Sequence, residues 1–190
     1  MTETKEVFNL DNQLEKLDYI GNFFAKNEGP NLIGFNYLAS REVLSKKNGR
    51  VYFFIENKDG VKKILKIGKS SAKSGIKGTL NFYSDALSGT PGQNRFCMHY
   101  MIREKIDSGS VIEVYAIFSK SISTEITAFT TSLTIEVPLD MTYVEKLYLD
   151  DYKSNFGKFP DWNFQENSEK LPNNLMESFG TFIINKKQKK

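Results

Sequence analysis

Apolar positions change period several times along this chain, and the changes mark its elements. From Asp11 to Lys26 the residues Leu14, Leu17, Ile20, Phe23 and Phe24 recur at three- and four-residue intervals. That spacing predicts a helix capped by Asp11 and ended by Asn27-Glu28-Gly29-Pro30. A second short helix is expected over 38–46, closed by Asn48-Gly49. The pattern then becomes extended: Val51-Tyr52-Phe53-Phe54-Ile55, then Lys63-Ile64-Leu65-Lys66-Ile67-Gly68-Lys69-Ser70, with Asn57-Lys58-Asp59-Gly60 between them. β-branched and aromatic runs around such a turn predict a hairpin. A three-residue loop Lys58-Asp59-Gly60 would pair Tyr52 directly with Lys66 on one sheet face.

Beyond the hairpin, 70–78 is small and polar and reads as a loop, and 79–87 as a short helix. Ser88-Gly89-Thr90-Pro91-Gly92 is a strong break. A helix over 93–106 ends at Asp107-Ser108-Gly109, and 111–118 reads as a buried strand. Residues 124–138, poor in charge, form one bent strand or an added hairpin. A helix over 143–152, a loop at 158–163, and a short final strand before a basic tail complete the order. The fold class expected is α+β, a small mixed or antiparallel sheet flanked by helices. Its organisation reads as an N-terminal helical arm (1–48), a main domain (49–170) with inserted strands at about 119–142, and a C-terminal extension (171–190).

Composition narrows the classes. The 190 residues are 39% hydrophobic and 26% charged, as in globular domains, and no apolar run is long enough to span a bilayer. A charged N-terminus without an apolar core is not read as a secretory signal. The single cysteine, Cys97, excludes an internal disulfide and fits a reducing cytoplasm, and one Cys with one His argues against zinc. Net charge is only +3, but residues 62–77 hold six lysines and no acid, and the chain ends Lys186-Lys187-Gln188-Lys189-Lys190. Local cationic surface of this kind attracts phosphates, or serves only solubility.

The order Tyr52, then Lys66-Ile67-Gly68, then Glu145, then Pro160-Asp161-Trp162-Asn163 resembles the GIY-YIG nuclease superfamily. The two family tripeptides would read Val51-Tyr52-Phe53 and Lys66-Ile67-Gly68, with Lys66 in place of the second tyrosine. In this the chain is similar to the short type II GIY-YIG restriction endonucleases. The resemblance spans about 50–165 and implies a GIY-YIG-like fold and a site-specific DNA endonuclease hydrolysing phosphodiesters with one divalent metal, Mg²⁺ or Mn²⁺.

The roles it implies are these. Tyr52 is the general base or a relay to it, with Lys66 and Lys69 favouring its ionisation, since a free phenol titrates near about 10. Glu145 is the metal ligand, and Asn163 supports the geometry. The family's phosphate-gripping arginine is absent from its usual place, Ile76-Lys77-Gly78-Thr79. Arg95, paired with His99 four residues on, is the leading substitute, and the two would bracket one phosphate. Lys77 and Lys73 are further phosphate-binding candidates, and Arg41, Arg50 and Arg103 weaker ones.

Each residue also has a purely structural reading. Tyr52 suits a core strand, Lys66 can face solvent, Glu145 can flank an apolar helix stripe, and Asn163 can cap a turn. Arg95 can pair with a helix-surface acid, and His99 can pack near the core. The expected partner is double-stranded DNA, with no membrane. Its bases would be read by 119–142, 88–94 and the N-terminal helices. Cutting both strands of a palindrome implies a homodimer, to which Phe82, Tyr83, Tyr100 and the N-terminal apolar stripe could contribute. The alternatives are a mobile-element or repair nuclease, and a nucleic-acid-binding domain without catalysis.

Overall fold

The computed structural model describes residues 9–188. The charged start of the chain and the terminal Lys189-Lys190 lie outside the described residues. Five strands, β1 (Asp18–Ala25), β2 (Ile33–Tyr37), β3 (Arg50–Lys58), β4 (Val61–Ser70) and β5 (Val111–Phe118), form one sheet in the order β2-β1-β5-β3-β4. Every neighbouring pair is antiparallel. A separate two-stranded sheet pairs β6 (Ser121–Ala128) with β7 (Thr131–Pro138). This is the expected α+β class.

Helices cover both faces of the main sheet. On one side Tyr52, Phe54, Leu65, Val114 and Ala116 pack with residues of α3 (Gly75–Ser84), α4 (Gln93–Asp107) and α6 (Asn173–Gln188). On the other, Val51, Phe53, Ile55 and Ile67 meet α1 (Leu10–Leu14) and α5 (Met141–Phe156). Because both faces are covered, β3 is buried without interruption from Arg50 to Glu56. Full burial of a side chain such as Phe54 or Leu65 contributes about 1.5–3 kcal/mol. A short helix α2 (Arg41–Ser45) precedes β3.

Three elements differ from expectation. The segment 11–26 is not one helix: α1 stops at Leu14, and Asp18–Ala25 is a strand between β2 and β5. Its apolar spacing suits a helix, but Gly21 and the aromatic run favour extension. Gly21 has φ 144°, and a Cβ there would lie 1.8 Å from the Asn36 carbonyl oxygen. The C-terminal segment is a helix, not a strand. Phe179 and Phe182 of α6 set their rings against Phe96 of α4 at 5.4 and 5.3 Å.

The central hairpin also has a different register. Its turn is two residues, Asp59 and Gly60, with φ of 52° and 82°, a hairpin geometry that requires left-handed backbone at both positions. An irregularity between Phe54 and Ile55 then shifts the ladder, so Tyr52 faces Gly68 and Phe54 faces Lys66. Lys66 keeps the face of Tyr52 but stands two ladder positions further along, opposite Phe54.

β4 is the sheet edge, and the loop after α5 closes it. Trp162 N–H donates to the Leu65 carbonyl at 2.8 Å. The Asn163 carboxamide accepts from Ile67 N–H at 3.0 Å and donates to the Ile67 carbonyl at 2.8 Å. The edge groups are thereby satisfied rather than left to pair with another strand.

Candidate active site

A cleft of about 310 Å³ opens along this closed edge. Tyr52 reaches it from β3, Lys66 and Lys69 from β4, Arg95 from α4 and Glu145 from α5, with Asn163 on its loop side. Lys69 alternates to the α5 face of β4, where its ammonium lies 3.3 Å from a Glu145 carboxylate oxygen. Tyr52 and Lys66 stand on the opposite face. The two sides meet at Gly68, which lines the cleft and has no side chain to divide it.

Tyr52 is 5% exposed, and its hydroxyl lies 2.6 Å from that of Tyr83 on α3. Burial raises the Tyr52 pKa well above the ordinary phenol range, and the neighbouring Tyr83 and Glu145 push it the same way. Burial raises Tyr83 too. The expected cationic bias on Tyr52 is therefore corrected: burial first, then Tyr83 and Glu145, all favour the neutral phenol in the free protein. Lys66 is moved by burial as well, downward, against the opposing pull of Glu166 and then Glu145.

Arg95 lays its guanidinium over the Phe82 ring at 4.8 Å, and its Nε donates to the Phe82 carbonyl. Its Nη nitrogens make no hydrogen bond among the described residues and are available to an anion in the cleft. His99 does not share this position. It is fully buried; its Nε2 accepts from Leu32 N–H at 3.0 Å and its Nδ1 lies 2.8 Å from the Tyr83 carbonyl. Only a neutral ring donating from Nδ1 satisfies both contacts, and burial lowers the pKa accordingly. The expected Arg95–His99 bracket around a phosphate is not formed, because both imidazole nitrogens are held by backbone. His99 instead anchors the carbonyl of Tyr83.

The remaining candidates lie apart. Lys73 and Lys77 are exposed and do not line the cleft, and the Lys77 ammonium sits over the Tyr37 ring at 5.5 Å. Arg50 is fully buried, with Nη2 donating to the Ala72 carbonyl at 2.9 Å. Arg103 grips Asp107 at 2.8 Å and the carbonyls of Lys26 and Leu32. Arg41 is exposed on α2. Tyr83 is buried and Tyr100 stacks on Phe96 at 4.6 Å, so Tyr83 presents no surface for a subunit contact. Phe82 remains half exposed.

Two cleft residues had no signal in sequence. Tyr83 reads as one more apolar position of a helix, and only the packing of α3 on β3 brings its hydroxyl to Tyr52. Glu166 reads as a loop carboxylate, and only closure of the β4 edge carries it to the cleft.

The donor set can be tested against a divalent ion. Among the described residues no group of three or more His, Cys, Asp or Glu side chains is placed to hold a metal. Mg²⁺ keeps several waters and takes one or two carboxylates with substrate phosphate, and Glu145, with Glu166 lining the same cleft, fits that smaller demand.

No family model matches the chain, and no curated protein matches it. Two solved structures are similar in fold. A mutant of bacteriophage T4 EndoII aligns with a TM-score of 0.48 at 14% identity, covering 83% of this chain and 99% of that one. Restriction endonuclease HPY188I in complex with product DNA aligns at 0.43 and 21% identity, covering 82% and 85%. At this distance no residue role transfers from either, and the reading of the cleft stands on its own side chains.

Proposed function

We propose that this chain is a divalent-metal-dependent endonuclease of restriction type acting on double-stranded DNA as a homodimer. One observation carries the reading: two phenols, three cationic side chains and a carboxylate from five different elements line a single cleft. A scissile phosphate there meets Arg95, whose planar guanidinium can engage two oxygens, and the ammonium of Lys66. Tyr52 accepts a hydrogen bond from the attacking water and, once ionised, its proton. Tyr83 holds the Tyr52 oxygen in place. Lys66 and Lys69 favour that ionisation, which burial opposes. Glu145 would hold Mg²⁺ or Mn²⁺, which supplies a hard positive charge for the leaving oxygen. Asn163 keeps β4, and with it Lys66 and Lys69, in register.

The Lys69–Glu145 ion pair favours a second reading, a nucleic-acid-binding domain in which Glu145 serves only that lysine. One assay separates the two. Plasmid DNA is incubated with the protein with Mg²⁺ or with chelator, beside Glu145→Ala and Tyr52→Phe. Discrete fragments that vanish in chelator, with each variant at least about a hundredfold slower and Glu145→Ala still binding, support the nuclease. A salt-sensitive gel shift without cleavage supports the second reading. Normal cutting by Glu145→Ala would remove the metal assignment.

A further inference from the structure

The cleft continues beyond Lys69. A second hollow of about 530 Å³ shares that lysine and runs past Ser70 and Ser71 to Ser119, at the root of the β6–β7 hairpin. A third, of about 390 Å³, shares Ser119 and reaches Lys16, Lys46 and Lys120. Together they follow one end of the main sheet. There Ser70 of β4 pairs with Arg50 of β3, Arg50 with Phe118 of β5, and Ala116 of β5 with Asp18 of β1. Three strand-to-strand steps of about 4.8 Å carry the groove about 14 Å inward from the edge strand.

Its charge is one-sided. The second and third hollows present Lys16, Lys46, Lys69 and Lys120 against two carboxylates, Asp18 and Asp140. Both carboxylates are engaged. Asp140 accepts from Thr142 N–H at 2.8 Å as the cap of α5, and Asp18 lies 3.4 Å from the Lys46 ammonium. That ion pair is partly exposed, and such pairs are weak enough to exchange partners. Lys120 is exposed and has neither a hydrogen bond nor an ion pair among the described residues.

Arg50 is an independent observation at the same place. It follows Gly49 and pairs with Ser70, both of which line the second hollow. Its side chain is fully buried, Nη2 donates to the Lys47 and Ala72 carbonyls, and Nε and Nη1 have no partner. Among the described residues no carboxylate forms an ion pair with it. A buried guanidinium without a counter-ion is costly, and its field adds to that of the lysines above it. What this end of the sheet lacks is an anion.

We infer that the groove is an exosite for the DNA backbone, continuous with the cleft, holding phosphates that flank the one to be cut. At about 3.4 Å per nucleotide of one strand, 14 Å spans roughly four nucleotides. Its lysines carry affinity and register but read no sequence. The inference rests on the proposed reading for its partner, double-stranded DNA, and not on the chemistry assigned to Tyr52 and Glu145.

The test is binding of the full chain in chelator, where nothing is cut. Fluorescence anisotropy of a labelled duplex of about 30 base pairs, from about 50 to 300 mM salt, gives the slope of log K on log salt, to which each neutralised phosphate contributes about 0.9. Lys16→Gln with Lys120→Gln should flatten that slope by about 1.8 and weaken binding at least about tenfold at 0.1 M salt. Asp18→Asn, which frees Lys46, should steepen the slope and tighten binding. Lys26→Gln with Lys58→Gln, at the opposite end of the sheet, should leave the slope as it is. An unchanged slope in the Lys16 and Lys120 variant, or an equal loss in the Lys26 and Lys58 variant, overturns the inference even where Mg²⁺-dependent cleavage is found. The expected slopes with no cleavage in Mg²⁺ uphold the exosite and overturn the nuclease chemistry alone. A wild-type chain that binds no duplex overturns both.

Discussion

Gly68→Ala tests the geometry on which the proposed chemistry depends. Gly68 lies opposite Tyr52, and a Cβ there would sit 2.6 Å from the Tyr52 hydroxyl oxygen and 2.7 Å from Cζ. The phenol must retreat by about 0.8 Å to restore an ordinary 3.4 Å contact. It cannot do so freely, because Tyr83 is already 2.6 Å from its hydroxyl and the ring of Phe54 packs at 5.5 Å. Overpacking of this kind costs about 1–3 kcal/mol. The reduced freedom of the unfolded chain returns about 0.4–1 kcal/mol. The net loss, roughly 0–2.6 kcal/mol and centred near about 1.3, lowers the melting temperature by roughly 3–5 °C at that centre for a chain of this size. A displacement near 1 Å in a reacting group costs about a hundredfold in rate. Thermal melting and plasmid cleavage measure the two effects on one preparation. Combined with Tyr52→Phe, the rate losses should not add, because both act on one hydroxyl. A Gly68→Ala protein melting within 1 °C of wild type and cutting within about threefold of it would refute the reasoning.

Three further outcomes follow from the same contacts. Arg95→Ala should reduce DNA cleavage about a hundredfold or more, while Lys77→Ala, altered outside the cleft, should stay within about threefold; side-by-side rates check this. His99→Phe should leave Leu32 N–H and the Tyr83 carbonyl unpaired and cost about 2–5 kcal/mol, read from urea unfolding. Full stability with lost cleavage would instead return the imidazole to the chemistry. Because the Tyr52 pKa is raised, cleavage should climb about tenfold per pH unit from 7 to 9 in wild type. The same protonated pair stabilises the fold below the ordinary phenol value of about 10, and that contribution is lost as pH rises through the higher folded values. A pH-independent rate would remove Tyr52 as the base.

Local chemistry alone determined much of this protein. Val51–Ile55 of β3 is a continuous apolar run and β5 is apolar but for Glu113, both too short and too rich in β-branched and aromatic residues for helices, and Asp59-Gly60 between flanking strands is a strong turn signal. The helix over 93–106 declares itself by length and by its flanking glycines. The order of Tyr52, Lys66, Glu145 and Asn163 along the chain carries the resemblance, and these four line one cleft together with Lys69. Between Asp18 and Ala25 the apolar spacing fits helix and strand alike, and the deciding influence is a partner: β2 and β5 on either side satisfy its backbone.

Tertiary structure alone decided the rest. The two-position displacement of Lys66 from Tyr52 comes half from the two-residue turn and half from a ladder irregularity that composition does not encode. The Tyr52–Tyr83 contact joins residues 31 positions apart through the docking of a helix on a sheet. His99 and Arg95 share a helix, yet one turns into backbone partners and the other into the cleft. Even the charge state of Tyr52 reversed expectation, because desolvation is set by everything packed around a group, whereas sequence shows only its neighbours along the chain.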